Sequence, residues 1–74
     1  DIFRENLRII RDARGKSSKQ ISIDLKLRQM KRIADIEEGR GKPTLEEVNS
    51  ICNYFGYPID DMINRKAIIT IGFQ

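Results

Sequence analysis

A stripe of apolar side chains opens the chain. It begins near residue 2 and continues through Leu7, Ile10 and Ala13, at intervals of three or four positions. This period is that of an amphipathic helix. Gly15 follows, and glycine suits the end of a helix because it adopts the left-handed conformation without steric penalty. The pattern predicts a first helix over residues 2–14.

A cap and two short apolar pairs predict the next two helices. Ser17 and Gln20 have the spacing of a capping box, in which the serine oxygen accepts from the third helical amide and the glutamine reaches back. A second short helix therefore follows Ser17, and a third is expected over about residues 29–38, ending at Gly39. The positions expected to face the core in these helices are Ile21, Leu25, Ile33 and Ile36.

A second capping box, Thr44 and Glu47, opens the predicted fourth helix. That helix ends at Gly56, and a short fifth helix is expected over about residues 59–64. The positions expected to face the core in these two helices are Leu45, Val48, Ile51, Phe55, Met62 and Ile63. Cys52 lies beside the stripe and is expected to be a small buried hydrophobe.

The pattern changes in the C-terminal tail. Residues 67–73 are β-branched and alternate loosely, which predicts a strand. The sequence therefore indicates a mainly α fold of five helices followed by one strand. We divide the chain into a helical domain over residues 1–64 and a tail over residues 65–74.

Composition narrows the class of protein. The 74 residues allow one domain with a small core, and 39% apolar with 34% charged residues is typical of a soluble globular chain. Histidine is absent, which removes the commonest general base and argues against an enzyme. The single cysteine, Cys52, favours a reducing compartment such as the cytoplasm.

Positive charge is concentrated in one part of the chain, although the formal net charge is only +3. Residues 14–32 carry seven lysines and arginines against Asp24 alone, a local charge of +6, whereas residues 43–74 have a local charge of −2. Such asymmetry is typical of a surface that binds a polyanion, most often nucleic acid. A solvated face is the plain alternative, and a membrane surface is less favoured because the basic segment lacks a broad apolar face.

Several short motifs follow one another at characteristic intervals. They are Leu7-Arg8-x-x-Arg11, Gly15-x-Ser17, Ile21-Ser22-x-x-Leu25, Ile33-x-x-Ile36-Glu37-Glu38-Gly39, Lys42-Pro43-Thr44-Leu45-x-x-Val48, Phe55-Gly56 and Pro58-Ile59-Asp60-Asp61-Met62. In this order, over residues 3–64, they resemble the phage-repressor helix-turn-helix family, of the Cro/repressor or xenobiotic-response-element type. The resemblance implies a repressor-like, sequence-specific regulator of transcription that binds double-stranded DNA and acts by blocking or recruiting polymerase. It also implies an ion pair between Arg11 and Glu37.

Two features depart from the family pattern. Lys26 stands where the family usually has a glycine, at a turn that favours positive φ. The interval from Gly15 to Gly39 is also one residue longer than is common, and we expect the extra residue between Leu25 and Ile33. The register of the base-reading residues depends on this join.

The third helix, residues 29–38, is expected to enter the major groove, where each base pair presents a distinct pattern of donors and acceptors. The base-reading candidates at its start are Gln29, Met30, Lys31, Arg32 and Asp35. Gln29 suits adenine, and Lys31 or Arg32 suits guanine. Met30 could contact a thymine methyl group or fill the core. Asp35 could accept from cytosine or orient Arg32 through a salt bridge.

Phosphate contacts are expected from helix N-termini and basic loops. The candidates are Ser17, Ser18, Lys19, Arg28, Arg40, Lys42 and Thr44. Free amides and the helix dipole at the start of a helix attract an anion. For Ser17 the plain alternative is capping alone, and for Arg40 and Lys42 it is a solvated loop.

The tail predicts assembly into a homodimer. A lone strand with unpaired edges invites pairing with another chain. We expect residues 66–73 of two subunits to pair antiparallel, which would set two recognition helices about 34 Å apart on a palindromic operator. The contacting residues would be Ala67, Ile68, Ile69, Thr70, Ile71 and Phe73. The alternative is a tail that packs on the helices of its own chain or forms no ordered structure.

These patterns together predict a cytoplasmic, nucleoid-associated regulator whose partners are double-stranded DNA and a second copy of the chain. No cofactor, metal, small-molecule ligand or membrane partner is expected. The alternative is a protein-interaction module that uses the helix-turn-helix frame as a scaffold and does not bind DNA.

Overall fold

The computed structural model describes residues 1–67, and this part of the chain folds into five helices. In chain order they are α1 (Ile2–Ala13), α2 (Ser18–Asp24), α3 (Arg32–Glu37), α4 (Leu45–Phe55) and α5 (Ile59–Asn64). The first helix packs against α3 and α5, α2 packs against α3, and α4 packs against α5. The pair α2 and α3 therefore rests on a frame made by the other helices.

One core joins the apolar faces of all five helices. Its buried members are Phe3, Leu7, Ile10, Ile21, Ile33, Ile36, Val48, Ile51, Cys52, Phe55, Met62 and Ala67. The expected core is confirmed except at three positions: Leu25 is only partly buried against it, and Leu45 and Ile63 expose 73% and 42% of their surface. Leu45 is the first residue of α4, beyond the edge of the core. Met62 takes the inward position on α5, and its neighbour Ile63 is turned about 100° away from it.

The two predicted capping boxes differ in how completely they form. The Thr44 hydroxyl accepts from the Glu47 amide at 3.1 Å, and the Glu47 carboxylate accepts from the Thr44 amide at 2.9 Å. The Ser17 hydroxyl accepts from the Gln20 amide at 3.0 Å. The Gln20 side chain, however, donates to Asp24 at 2.7 Å, so the reciprocal half of this box is missing.

The third helix is shorter than the sequence pattern predicted. It begins at Arg32 and not at residue 29, so Gln29 and Met30 lie in the connection before it. The Arg32 amide donates to the Gln29 carbonyl at 3.1 Å, which closes a turn ahead of the helix. Lys31 occupies the N-cap position without a side-chain hydrogen bond to the helix. The longer interval between Leu25 and Ile33 is therefore taken up by the connection.

The expectation of a C-terminal strand is wrong for this fold, because residues 1–67 contain helices and no strand. Ala67, the first residue of the expected strand, is buried, and its amide donates to the Asn6 side chain at 2.7 Å. This bond ties the end of the helical frame to α1 and occupies an N–H group that a strand would use for pairing. The other expected strand and dimer residues, Ile68, Ile69, Thr70, Ile71 and Phe73, lie outside the described residues.

Candidate nucleic-acid interface

The turn after α2 is built around a left-handed lysine. Lys26 has a φ of +56° and is the one residue other than glycine with positive φ among residues 1–67. Its amide donates to the Ile23 carbonyl at 3.0 Å, and the Leu27 amide donates to the Ser22 carbonyl at 2.9 Å. These two bonds satisfy the last carbonyls of α2 in the way that a glycine turn usually does. Lys26 therefore preserves the turn geometry that a glycine usually provides and adds a positive charge to the turn.

Residues 25–31, here called the cationic connection, join α2 to α3. Three of the base-reading candidates lie in it or at its end: Gln29, Met30 and Lys31, all of them exposed. Met30 exposes 57% of its surface, so the core alternative for this side chain is wrong. The connection thus presents these side chains to solvent directly before the helix.

The remaining base-reading candidates lie on α3, and both are engaged with other side chains. Arg32 forms a bidentate ion pair with Glu47, in which Nε donates to Oε2 and Nη2 donates to Oε1, each at 2.8 Å. Its Nη2 also donates to the Lys42 carbonyl at 2.8 Å. The hydrogen bonds to Glu47 raise the pKa of Arg32, and Arg32 is the main cause that lowers the pKa of Glu47 to about 2.

Asp35 pairs with the loop and not with Arg32. Arg40 donates to the Asp35 carboxylate at 3.0 Å and also contacts the Glu38 carboxylate. The hydrogen bond to Asp35, followed by that to Glu38, raises the pKa of Arg40. The amides of Arg40 and Gly41 donate to the Asp35 carbonyl at 2.8 and 3.1 Å. The loop after α3 is therefore folded back onto the helix, with its arginine held by two carboxylates.

The phosphate candidates fall at separate places. Ser17, Ser18 and Lys19 lie at the start of α2, with Ser17 occupied as its N-cap. A groove of about 530 Å³ runs between the cationic connection and the start of α4. It is lined by Lys26, Leu27, Arg28, Gln29, Arg32, Thr44, Glu46 and Glu47. Lys42 lies outside this groove, in a second one that it shares with Arg4.

An ion pair between α1 and α3 fixes α3 on the frame formed by the other helices. Arg11 Nε donates to Glu37 Oε2 at 2.6 Å, and Nη2 donates to Oε1 at 3.0 Å. Arg11 Nη1 also donates to the Lys16 carbonyl at 2.9 Å, just before α2. The hydrogen bond to Glu37 is the main cause that raises the pKa of Arg11. The ion pair implied by the sequence resemblance is confirmed.

The comparisons with known proteins agree with this geometry. A family model described as a helix-turn-helix domain matches residues 5–68, which include most of α1 and all of α2 to α5. The chain belongs to the helix-turn-helix family of Cro/repressor-like type. Searches of curated proteins and of solved structures give no match.

Membership of this helix-turn-helix family supports a DNA-binding regulator in general terms. In such proteins the second helix of the unit lies in the major groove, and residues at its N-terminus contact base edges. The helix at this place in the chain is α3, and the cationic connection directly precedes it. Within residues 1–67, no helix has the length and apolar character that a membrane span requires.

Charge is unequally available around the helix-turn-helix unit. Arg32 and Arg40 are bound to carboxylates. Lys26, Arg28 and Lys31 are exposed and form no ion pair within the described part of the chain. Near α3, the exposed cations without an ion pair in this part of the chain are therefore those of the cationic connection, together with Lys42 in the loop after the helix.

A buried polar residue that the sequence pattern did not predict holds the helix-turn-helix frame together. Asn6 is completely buried, and its amide donates to the carbonyls of Met62 and Arg65 at 2.8 and 2.7 Å. Its oxygen accepts from the Ala67 amide at 2.7 Å. Asn6 lies three residues after Phe3 on the inward stripe of α1, and this spacing is the signal that could have identified it.

A polar contact between α2 and α4 was missed as well. The Tyr54 hydroxyl donates to the Asp24 carboxylate, which also accepts from Gln20. These two hydrogen bonds, the one from Tyr54 first, lower the pKa of Asp24. The sequence offers no spacing signal for a contact between residues 30 positions apart.

Proposed function

We propose that this protein is a sequence-specific, repressor-type regulator that inserts the cationic connection and the start of α3 into the major groove of double-stranded DNA. The observation that carries the proposal is the cluster Lys26, Arg28 and Lys31, exposed and unpaired within residues 1–67 and placed directly before α3. An uncompensated cluster of this kind attracts the phosphate backbone.

Side chains of the connection are the proposed base readers. Gln29 suits the edge of adenine, Lys31 suits guanine, and the exposed thioether of Met30 suits a thymine methyl group. Arg28 and Lys26 line the groove that leads to Thr44 at the N-terminus of α4, a position suited to a phosphate. Lys19, exposed in the first turn of α2, supplies a further phosphate contact.

Binding as a homodimer to a palindromic operator is part of the same proposal. The six residues of α3 extend only about 9 Å along the helix axis. One copy therefore reaches few base pairs, whereas two copies related by a two-fold axis read two half-sites about one DNA turn apart. Sedimentation of the protein with and without a selected duplex measures this stoichiometry.

Fluorescence anisotropy of a labelled random duplex, titrated at several salt concentrations, tests DNA binding. We expect the affinity to fall with salt, with a slope of about −0.9 for each phosphate neutralised. Arg28→Ala should reduce the size of this slope by about 1. Arg8→Ala is the matched control, because it removes the same charge from an exposed position on α1.

Three results would contradict the proposal. No binding at low salt, or binding without a salt slope, would favour the protein-interaction module that uses the same frame. Equal effects of Arg28→Ala and Arg8→Ala would show that net charge, and not the cationic connection, drives binding.

A further inference from the structure

We propose that Arg32 is a positioning residue that sets the angle of α3 against the N-terminus of α4, through Glu47 and the Lys42 carbonyl, and so controls discrimination between DNA sequences. This inference rests on the proposed DNA-binding function. It assigns Arg32 a role different from the base contact that sequence analysis expected.

The donors of Arg32 are already committed to its own chain. Three of its five N–H groups are used, one on Nε and two on Nη2, by Glu47 and the Lys42 carbonyl. The side chains of Arg32 and Glu47 are only 26% and 19% exposed. A bidentate pair in such a partly buried place is geometrically defined and less screened than a surface pair. Within the described residues, only the two N–H groups on Nη1 are left without a partner.

The position of Glu47 makes this contact a link between two helix starts. Arg32 is the first residue of α3, and Glu47 is the third residue of α4. The Glu47 carboxylate also accepts from the Thr44 amide at 2.9 Å, so the carboxylate that caps α4 also holds α3. Arg32, Glu47 and Thr44 thus form one continuous hydrogen-bond network that joins the start of α3 to the N-cap of α4.

A second observation, the lack of a side chain at Gly41, supports this position of Arg32. A Cβ atom at Gly41 would lie 2.6 Å from Arg32 Nη1, well inside contact distance. Gly41 is not among the glycines with positive φ, so its backbone does not require glycine. The absent side chain at Gly41 therefore makes room for the guanidinium.

The positioning role predicts the same loss from three different changes. Arg32→Met removes the donors, Glu47→Gln removes the charge of the acceptor but keeps an oxygen for the Thr44 amide, and Gly41→Ala crowds the guanidinium without removing a charge. Each should lower the ratio of affinities for a selected duplex and a random duplex about tenfold, the size of one good base contact. The loss should be spread over several base positions. The double variant Arg32→Met with Glu47→Gln should lose no more than either single variant.

Asp60→Asn is the matched control, because Asp60 is also an acid in the first turn of a helix, is exposed, forms no ion pair in the part of the chain described and lies outside the groove. It should leave the affinity ratio unchanged. All proteins are compared at a temperature where circular dichroism shows wild-type helix content. Arg32→Lys, which keeps the charge but loses the bidentate geometry, replaces Arg32→Met if that variant does not fold.

A base-reading Arg32 would give a different pattern. Relaxed preference at one base position in Arg32→Met, with discrimination intact in Glu47→Gln, would overturn the positioning role. Unchanged discrimination in all three variants would overturn it as well. If the wild type binds no duplex, the proposed function fails together with this inference, whereas wild-type binding with either of these patterns refutes the inference alone.

Discussion

Replacing Lys26 with glycine should stabilise the protein. Lys26 has a φ of +56°, a conformation that costs an L-residue about 1–2 kcal/mol. Glycine adopts it freely but loses about 0.5–1 kcal/mol more backbone entropy on folding. The Lys26 side chain is exposed and unpaired within the described residues, so its removal loses no packing. The two turn hydrogen bonds, from the amides of residues 26 and 27, involve no side chain and are kept. The expected net gain is about 0.5–1 kcal/mol in the free energy of unfolding.

Thermal unfolding followed by circular dichroism measures this gain. For a domain of this size, it corresponds to a rise in Tm of about 2–8 °C. Lys26→Ala is the matched control, because it removes the same charge but keeps the Cβ atom that makes the left-handed conformation costly. Its Tm should stay close to that of the wild type. If Lys26→Ala raised the Tm as much as Lys26→Gly, the gain would come from charge and the backbone argument would be refuted.

Two further predictions concern stability. Asn6→Ala leaves the carbonyls of Met62 and Arg65 and the amide of Ala67 without their hydrogen-bond partner. Urea unfolding should therefore show that the free energy of unfolding falls by about 2 kcal/mol or more. A fall within about 0.5 kcal/mol, the size typical of a surface substitution, would contradict the structural role of Asn6. The pKa of Glu47 is about 2 in the folded protein against an ordinary 4.5, so its stabilising contribution is complete above the higher value and is lost as the pH falls toward the lower one. Urea midpoints of Glu47→Gln should therefore fall less steeply than those of the wild type over this range, and parallel curves would contradict the role of the ion pair.

The helices and most of the core could be predicted because their signals are local. The apolar period gave α1 and α4 nearly at their observed bounds, and the Thr44 cap gave the start of α4. The contact between Arg11 and Glu37 came from the family resemblance, since nothing in the sequence pattern alone pairs residues 26 positions apart.

The start of α3 could not be predicted because no cap marks it. Lys31 is the N-cap residue, but its side chain forms no hydrogen bond with the helix. The left-handed turn at Lys26 also occupies positions that the apolar pattern alone is equally consistent with as helix. The tertiary role of Arg32 was invisible for a different reason. The capping box with Thr44 accounts for a glutamate at position 47, and no spacing signal pairs this residue with Arg32, 15 positions away.

Selection of bound duplexes from a random pool tests the central claim most directly. A base-reading surface at the cationic connection, residues 25–31, predicts enrichment of one short motif, repeated with two-fold symmetry at a spacing of about one DNA turn. Substitution of Gln29 or Lys31 should then change the enriched base at defined positions of that motif. A pool that binds but shows no enriched sequence would contradict sequence-specific recognition.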